Sequence, residues 1–152
     1  MNFVAIILKA AKAAQVSGTL LLAICGHESM DFTLNYSAND KGTPSYGVCQ
    51  VKEGTARMLG YKGPAKDLNK PELSAKYAGM YLKYQIERYG DQDWCVLAAA
   101  YNAGSYNESH KLPGYPRNLK YVRLVQQKLE KDLQPKLSCG KTENTELAYI
   151  RQ

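Results

Sequence analysis

The chain has 152 residues, 45% hydrophobic and 22% charged, which is one domain's worth of ordinary globular composition and excludes a disordered chain. No apolar run nears the roughly 20 residues that cross a bilayer, which excludes a protein built on membrane-spanning helices. Lys and Arg (20) exceed Asp and Glu (14), and the net charge of +6 favours an anionic partner: nucleic acid, a membrane surface or an acidic wall polymer.

The first predicted element is an amphipathic helix, Asn2–Gln15. Its apolar stretch, Phe3–Leu8, is short, and its first lysine comes after that stretch, so it reads as a helix rather than a secretory leader. The expectation is a protein made in the cytoplasm without an export signal of its own. Next comes a helix over Thr19–Met30, with Ser17 as its cap. Leu20 to Cys25 is apolar all round, so this helix belongs in the core. Asn35–Ser45 is dense in turn formers and reads as a long loop, with a small hairpin over Ser45–Val51. A short helix comes next at Thr55–Leu59, then a loop at Lys62–Pro64.

Pro71 and Gly90 bracket a long helix, Glu72–Tyr89, with Leu73, Tyr77, Met80, Tyr81 and Tyr84 as its apolar face. Aromatics at this spacing are read as core rather than as a sugar-stacking platform. A helix over Trp94–Asn102 starts after the capping candidates Asp91 and Asp93 and stops near Gly104. A loop at Leu112–Pro116 leads to the last helix, Arg117–Leu133, striped by Leu119, Val122, Val125, Leu129 and Leu133. The fold class is therefore mainly α, a single compact helical domain over 1–134 with a small loop or β-hairpin corner, followed by a polar tail at 135–152.

The four cysteines, Cys25, Cys49, Cys95 and Cys139, contain no CxxC pair, and His27 and His110 are too isolated to complete a metal cluster. Four cysteines allow three disulfide pairings, and no spacing selects one. They are read as buried free thiols, with Cys139 on the tail. No metal or cofactor is expected.

Glu28 is the residue that breaks local rules. It stands near the C-terminal end of the most hydrophobic helix, where the helix carbonyls and burial both disfavour a carboxylate. A carboxylic acid that keeps its proton near neutral pH is what general-acid catalysis needs, and local rules broken at one place mark functional sites. Glycoside cleavage uses such a group. The second carboxylate that most such enzymes need has only Asp31 and Asp40 as nearby candidates, with Asp31 on the face of Glu28 if the helix continues.

Four ordered motifs accompany Glu28: Glu28-Ser29, Gly47-Val48-Cys49-Gln50, Ala99-Ala-Tyr-Asn-Ala-Gly104 and Tyr121-Val122. In this order they resemble the soluble lytic transglycosylase family, over about Ile7 to Leu133. The chain also resembles the compact single-domain forms carried by bacteriophages. The resemblance implies the lysozyme-like fold of goose-type lysozymes and cleavage of the β-1,4 bond between N-acetylmuramic acid and N-acetylglucosamine in peptidoglycan. It implies Glu28 as the single acid and base, with acetamido assistance and a 1,6-anhydro product.

By the same resemblance Gln50 lines the sugar site, with Gly47 letting the backbone come close. Tyr101 and Asn102 line the site, Tyr121 orients the catalytic carboxyl, and Ser37 bonds the acetamido group. Ser29 is counted with these substrate-contacting residues and holds the local turn. The implied partner is a peptidoglycan glycan strand met by a monomer, without nucleic acid. The protein is expected to reach the periplasm or wall by lysis, in a virion or through a secretion machine.

Two positions depart from the family pattern. Cys49 stands where Met is usual, and Gln50 comes 22 positions after Glu28, several more than usual, the extra length falling in Asn39–Ser45. Three other functions compete. A hydrolytic muramidase would need Asp31 or Asp40 to activate water. A glycan-binding module without activity would have no use for Glu28. A nucleic-acid binder would use Arg117, Lys120, Arg123, Lys128, Lys131 and Lys136, but Glu130 and Asp132 interrupt that run and no recognition motif accompanies it.

Overall fold

The structure is a computed structural model that describes residues 1–40, 42–90, 93–129 and 139, with the backbone alone at 39 and 40. Its elements in chain order are α1 (Phe3–Ala14), α2 (Gly18–Glu28), β1 (Tyr36–Asp40), β2 (Thr43–Tyr46), β3 (Val51–Lys52), α3 (Glu53–Met58), a 3-10 turn (Ala65–Asn69), α4 (Pro71–Tyr89), α5 (Trp94–Ala103) and α6 (Leu119–Lys128). Helices thus predominate, with one small antiparallel sheet of order β1-β2-β3. The chain divides into two compact units, Met1–Tyr84 and Gln85–Gln152, with the division inside α4.

In the first unit the helix starts are written in the sequence. The Asn2 side chain accepts from the Ala5 N–H at 3.0 Å, and Ser17 Oγ accepts from the Leu20 N–H at 3.1 Å. Each satisfies a donor that the first turn leaves unpaired, worth about 1 kcal/mol. Leu21 and Ile24 of α2 and Ile7 of α1 are wholly buried, and each such side chain contributes about 1.5–3 kcal/mol. Gly79 lets α4 approach α1, since a Cβ there would meet Ala10 O at 3.2 Å and Ala14 Cβ at 3.3 Å.

Three expectations need correction in this unit. The Asn35–Ser45 stretch is not a long loop. It forms the β1–β2 hairpin, with Tyr36 opposite Tyr46 and Ser37 opposite Ser45. The turn formers sit within the strands as well as at the tip: Ser37, Asn39 and Asp40 belong to β1 and Pro44 and Ser45 to β2, while Gly42 turns the tip with a φ of 92°. The register shifts between Ser37 and Asp40, so the tip also hides the strand alternation that would reveal it. Helix α2 ends at Glu28, earlier than Met30, because Met30, Asp31 and Phe32 all turn left-handed. The buried face of α4 is Ser74, Ala75, Ala78 and Leu82 together with Tyr77. Leu73, Met80, Tyr81 and Tyr84 are only half-buried beside it. Small residues win the buried face because α1 approaches so closely at Gly79. Tyr77 does pack as core, edge-on to Tyr61 with ring centroids 5.2 Å apart, while Tyr81 and Tyr84 stack on each other at 6.0 Å.

The second unit holds α5 and α6. Asp93 caps α5, accepting from the Cys95 and Val96 N–H groups, and Gly104 ends it with a φ of 86°. Leu119, Val122, Val125 and Leu129 are buried as their stripe predicts. Helix α6 starts later than expected, at Leu119. Asp91, Leu133 and the bulk of the 135–152 tail lie outside the described residues.

The cysteines are the largest correction. Cys25 is bonded to Cys49 and Cys95 to Cys139, with Cα separations of 4.2 and 5.5 Å, and no described cysteine is a free thiol. Cys139 is buried against its partner rather than loose on a tail. The pairing is set by tertiary proximity, which sequence spacing does not carry.

Candidate functional site

Glu28 is the last residue of α2 and is half-buried. The backbone just beyond it is unusual. Met30, Asp31 and Phe32 have φ values of 52°, 57° and 67°, three successive L-residues in the left-handed region. Each costs about 1–2 kcal/mol, so surrounding contacts must hold them. Ser29 supplies most of these. Its fully buried hydroxyl donates to Cys25 O at 2.8 Å and accepts from the Phe32 N–H at 3.0 Å, and its carbonyl accepts from Thr33 and Leu34. Gly26 O takes the Asp31 N–H at 2.8 Å, and the Phe32 ring lies 5.8 Å from Phe3. Ser29 is thus a clamp for the turn that fixes the backbone of Glu28. The turn also leaves Asp31 exposed and off the helix, so it does not continue the Glu28 face.

The second feature of this unit is the turn Gly47–Gln50. The Cys25–Cys49 bond fastens it to α2 one helical turn before Glu28. From α4, the buried Ser74 hydroxyl accepts from the Cys49 N–H at 3.1 Å and donates to Tyr46 O at 3.0 Å. Asn69 Oδ1 accepts from the Gly47 N–H at 3.2 Å. Gln50 is itself left-handed (φ 51°) and mostly buried, and its Nε2 donates to Gly47 O at 2.8 Å. Gln50 is therefore presented by a closed turn, and its amide retains a carbonyl oxygen and a second N–H hydrogen for other partners. Gly47 is required there. Its φ is 76°, and an added Cβ would lie 2.6 Å from Leu68 O and run into Ser74. Gly47→Ala is expected to lower unfolding free energy by about 2–4 kcal/mol, as read by urea denaturation. Ser37 sits on β1 opposite Ser45, half-buried, on the hairpin face opposite to Tyr36 and Tyr46.

In the second unit Tyr101 and Asn102 lie in the last turns of α5, Tyr101 buried and Asn102 half-buried. Asn118, at the cap position of α6, donates through one Nδ2 to Ala99 O and Asn102 Oδ1, both at 3.0 Å. That fixes the orientation of the Asn102 amide. Tyr121 is half-buried on α6.

The end of α5 is held by Gln85, wholly buried, whose Nε2 donates to Ala100 O at 3.3 Å and Gly104 O at 3.1 Å. Arg88 donates to Gly104 O at 2.7 Å and to Gln85 Oε1 at 3.1 Å. Gln85→Leu would leave these carbonyls without the amide, and a loss of about 1–3 kcal/mol in unfolding free energy is expected by denaturant titration. Burial, with Glu108 and Asp93 nearby, raises the Tyr106 hydroxyl above the usual tyrosine range, so it stays a donor, to Gly114 O.

In the first unit the Cys25–Cys49 bond ties the helix that ends in Glu28 to the turn of Gly47 and Gln50, and in the second Asn118 at the start of α6 bonds Asn102 at the end of α5. Ser74, Asn69, Gln85 and Asn118, which hold those motifs, were missed from sequence. Each is a polar residue inside or beside a helix, a pattern indistinguishable from a solvated position until burial is known. Among the described residues, Asp93, Cys95 and Cys139 come within metal-ligating range of one another, but both sulfurs are committed to a disulfide. An apolar cleft of about 470 Å³ between α1 and α4, lined by Ile6, Ala10, Ala13 and Met80 among others, holds none of the motif residues.

No curated protein and no solved structure matches the chain. One family profile does: that described as the Transglycosylase SLT domain matches residues 5–120, which takes in all four motifs except the Tyr121-Val122 pair just beyond its end. The fold accords with it, helical with a small antiparallel sheet in the manner of lysozyme-like domains. The match covers most of the chain, and the protein belongs to the transglycosylase SLT domain family.

Proposed function

We propose that the chain cleaves the β-1,4 bond between N-acetylmuramic acid and N-acetylglucosamine by transglycosylation, with Glu28 as its only acid and base. Membership of the family indicates peptidoglycan lytic transglycosylase-type activity, and the finer mechanism is our reading. One observation carries it. The carboxylate-bearing residue at the end of a buried helix is followed by a strained left-handed turn that a buried serine holds in place. Strain so well supported is a feature of functional sites.

In this mechanism the Glu28 carboxyl gives its proton to the glycosidic oxygen as the bond from C1 to that oxygen breaks. The carbonyl oxygen of the muramoyl acetamido group closes on C1, forming an oxazolinium. The Glu28 carboxylate then takes the proton of the 6-hydroxyl. The freed oxygen attacks C1, displaces the acetamido oxygen and closes the 1,6-anhydro ring. The reaction consumes no water, an exception of the substrate-assisted kind to the two-carboxylate scheme.

Gln50 and Ser37 are proposed to bind the glycan from the first unit. Tyr101, Asn102 and Tyr121 are proposed glycan contacts of the second. The catalytic body is proposed to span 1–134, to act as a monomer on the wall outside the cytoplasm, and to serve wall lysis or penetration by a phage. Among the described residues no helix is long and apolar enough to cross a membrane. Digestion of peptidoglycan in ¹⁸O-labelled water tests the mechanism. Products without label are expected, and label at the new muramoyl end overturns it.

A further inference from the structure

We infer that the β1–β2 hairpin carries a second glycan-binding site, a tyrosine platform of Tyr36 and Tyr46 for the pyranose faces of an N-acetylhexosamine chain. The inference rests on the reading of peptidoglycan as the substrate. The two tyrosines are paired across the strands, so their side chains share one face, with ring centroids 5.4 Å apart and planes tilted by 51°.

Tyr36 is 46% exposed. Tyr89 is the other strongly exposed tyrosine among the described residues, and it is already engaged. Its hydroxyl accepts from the Tyr106 N–H, and the Arg88 guanidinium lies 4.9 Å from its ring centre. Tyr36 instead keeps its ring open on a strand, with Tyr46 as its ring neighbour. A large aromatic surface left to solvent is the informative exception to burial, and a tyrosine binds well where one side is apolar and the other wet. The C–H face of a pyranose, ringed by hydroxyls, has that character.

The platform is anchored at its Tyr46 end. The carbonyl of Tyr46 is held by Ser74, and Tyr46 runs directly into the Gly47–Gln50 turn that the Cys25–Cys49 bond ties to α2. Ser37 and Ser45 face the other side of the hairpin, so the platform is distinct from the sugar contact proposed for Ser37. A second hold on the polymer would keep the enzyme on insoluble wall between cleavage events, by raising local concentration.

The test is co-sedimentation of the full chain with purified sacculi, at salt high enough to screen its positive charge. Tyr36→Ala is expected to weaken binding about tenfold, the size of one aromatic stacking contact. Tyr36→Trp and Tyr36→Phe are expected to retain it. Thermal melting of each variant confirms the fold. Equal binding by Tyr36→Ala and the unchanged chain overturns the platform. Persistence of lysis in Glu28→Gln would instead count against the catalytic reading and leave the binding result standing.

Discussion

Glu28→Gln is expected to cut lysis of cell-wall suspensions by about 10²–10⁴-fold, the usual size of an acid–base contribution, while leaving the melting temperature within a few degrees. The amide has the shape of the carboxyl but neither gives up nor takes a proton in the way the mechanism requires. The fold is indifferent to the change because Glu28 is half-buried at a helix end, and the turn beyond it is held by Ser29 and Phe32. Glu28→Asp makes a sharper companion. It keeps the chemistry and withdraws the carboxyl by one methylene, and a misplacement of about 1 Å costs on the order of 10²-fold. Lysis by Glu28→Gln at the rate of the unchanged protein would remove this residue from the reaction.

Breaking the Cys25–Cys49 bond, by Cys25→Ser with Cys49→Ser, is expected to lower stability by about 3 kcal/mol and the melting temperature by about 10 °C. The bond closes a loop of sequence separation 24, and its loss frees the unfolded chain. It also joins the two parts of the first unit that the mechanism uses, the end of α2 and the Gln50 turn. Lytic activity is therefore expected to fall further than the unfolded fraction explains, even well below the melting point. Cys95→Ser with Cys139→Ser is the comparison, since that bond lies wholly in the second unit. Such bonds persist in oxidising compartments and are rare in reducing ones, which accords with work at the wall. Thermal scans and lysis rates of the two double variants check this. Identical behaviour of the Cys25–Cys49 variant and the unchanged protein would contradict it.

The features legible in the sequence were local. Ser17, Asp93, Pro71 and Gly90 punctuate helices by rules that act within a few residues, and the structure places α2, α4 and α5 accordingly. The central burial of Leu21 and Ile24 comes from an apolar run too dense for a surface helix. Glu28 stood out because an acid at the end of such a run is locally costly, whereas the other motifs stood out only through their resemblance to the family that the profile match shows, and the roles of all of them are proposals.

The illegible features depend on partners far along the chain. The two disulfides require knowing which elements meet. The β1–β2 hairpin was hidden because turn formers in its strands and at its tip and the register shift inside β1 masked its alternation. The buried face of α4 was misplaced because close approach of α1 at Gly79 selects serine and alanine over the larger tyrosines. The left-handed run at Met30–Phe32 has no local signature, since it lacks the glycine or asparagine that normally marks such backbone.

Mass spectrometry of muropeptides released by the protein and by Glu28→Gln tests the central claim most directly. The account predicts that the unchanged protein releases fragments ending in 1,6-anhydro-N-acetylmuramic acid, one water lighter than hydrolytic products, and that Glu28→Gln releases none. Reducing muramoyl ends from the unchanged protein, or the same anhydro fragments from Glu28→Gln, would contradict it.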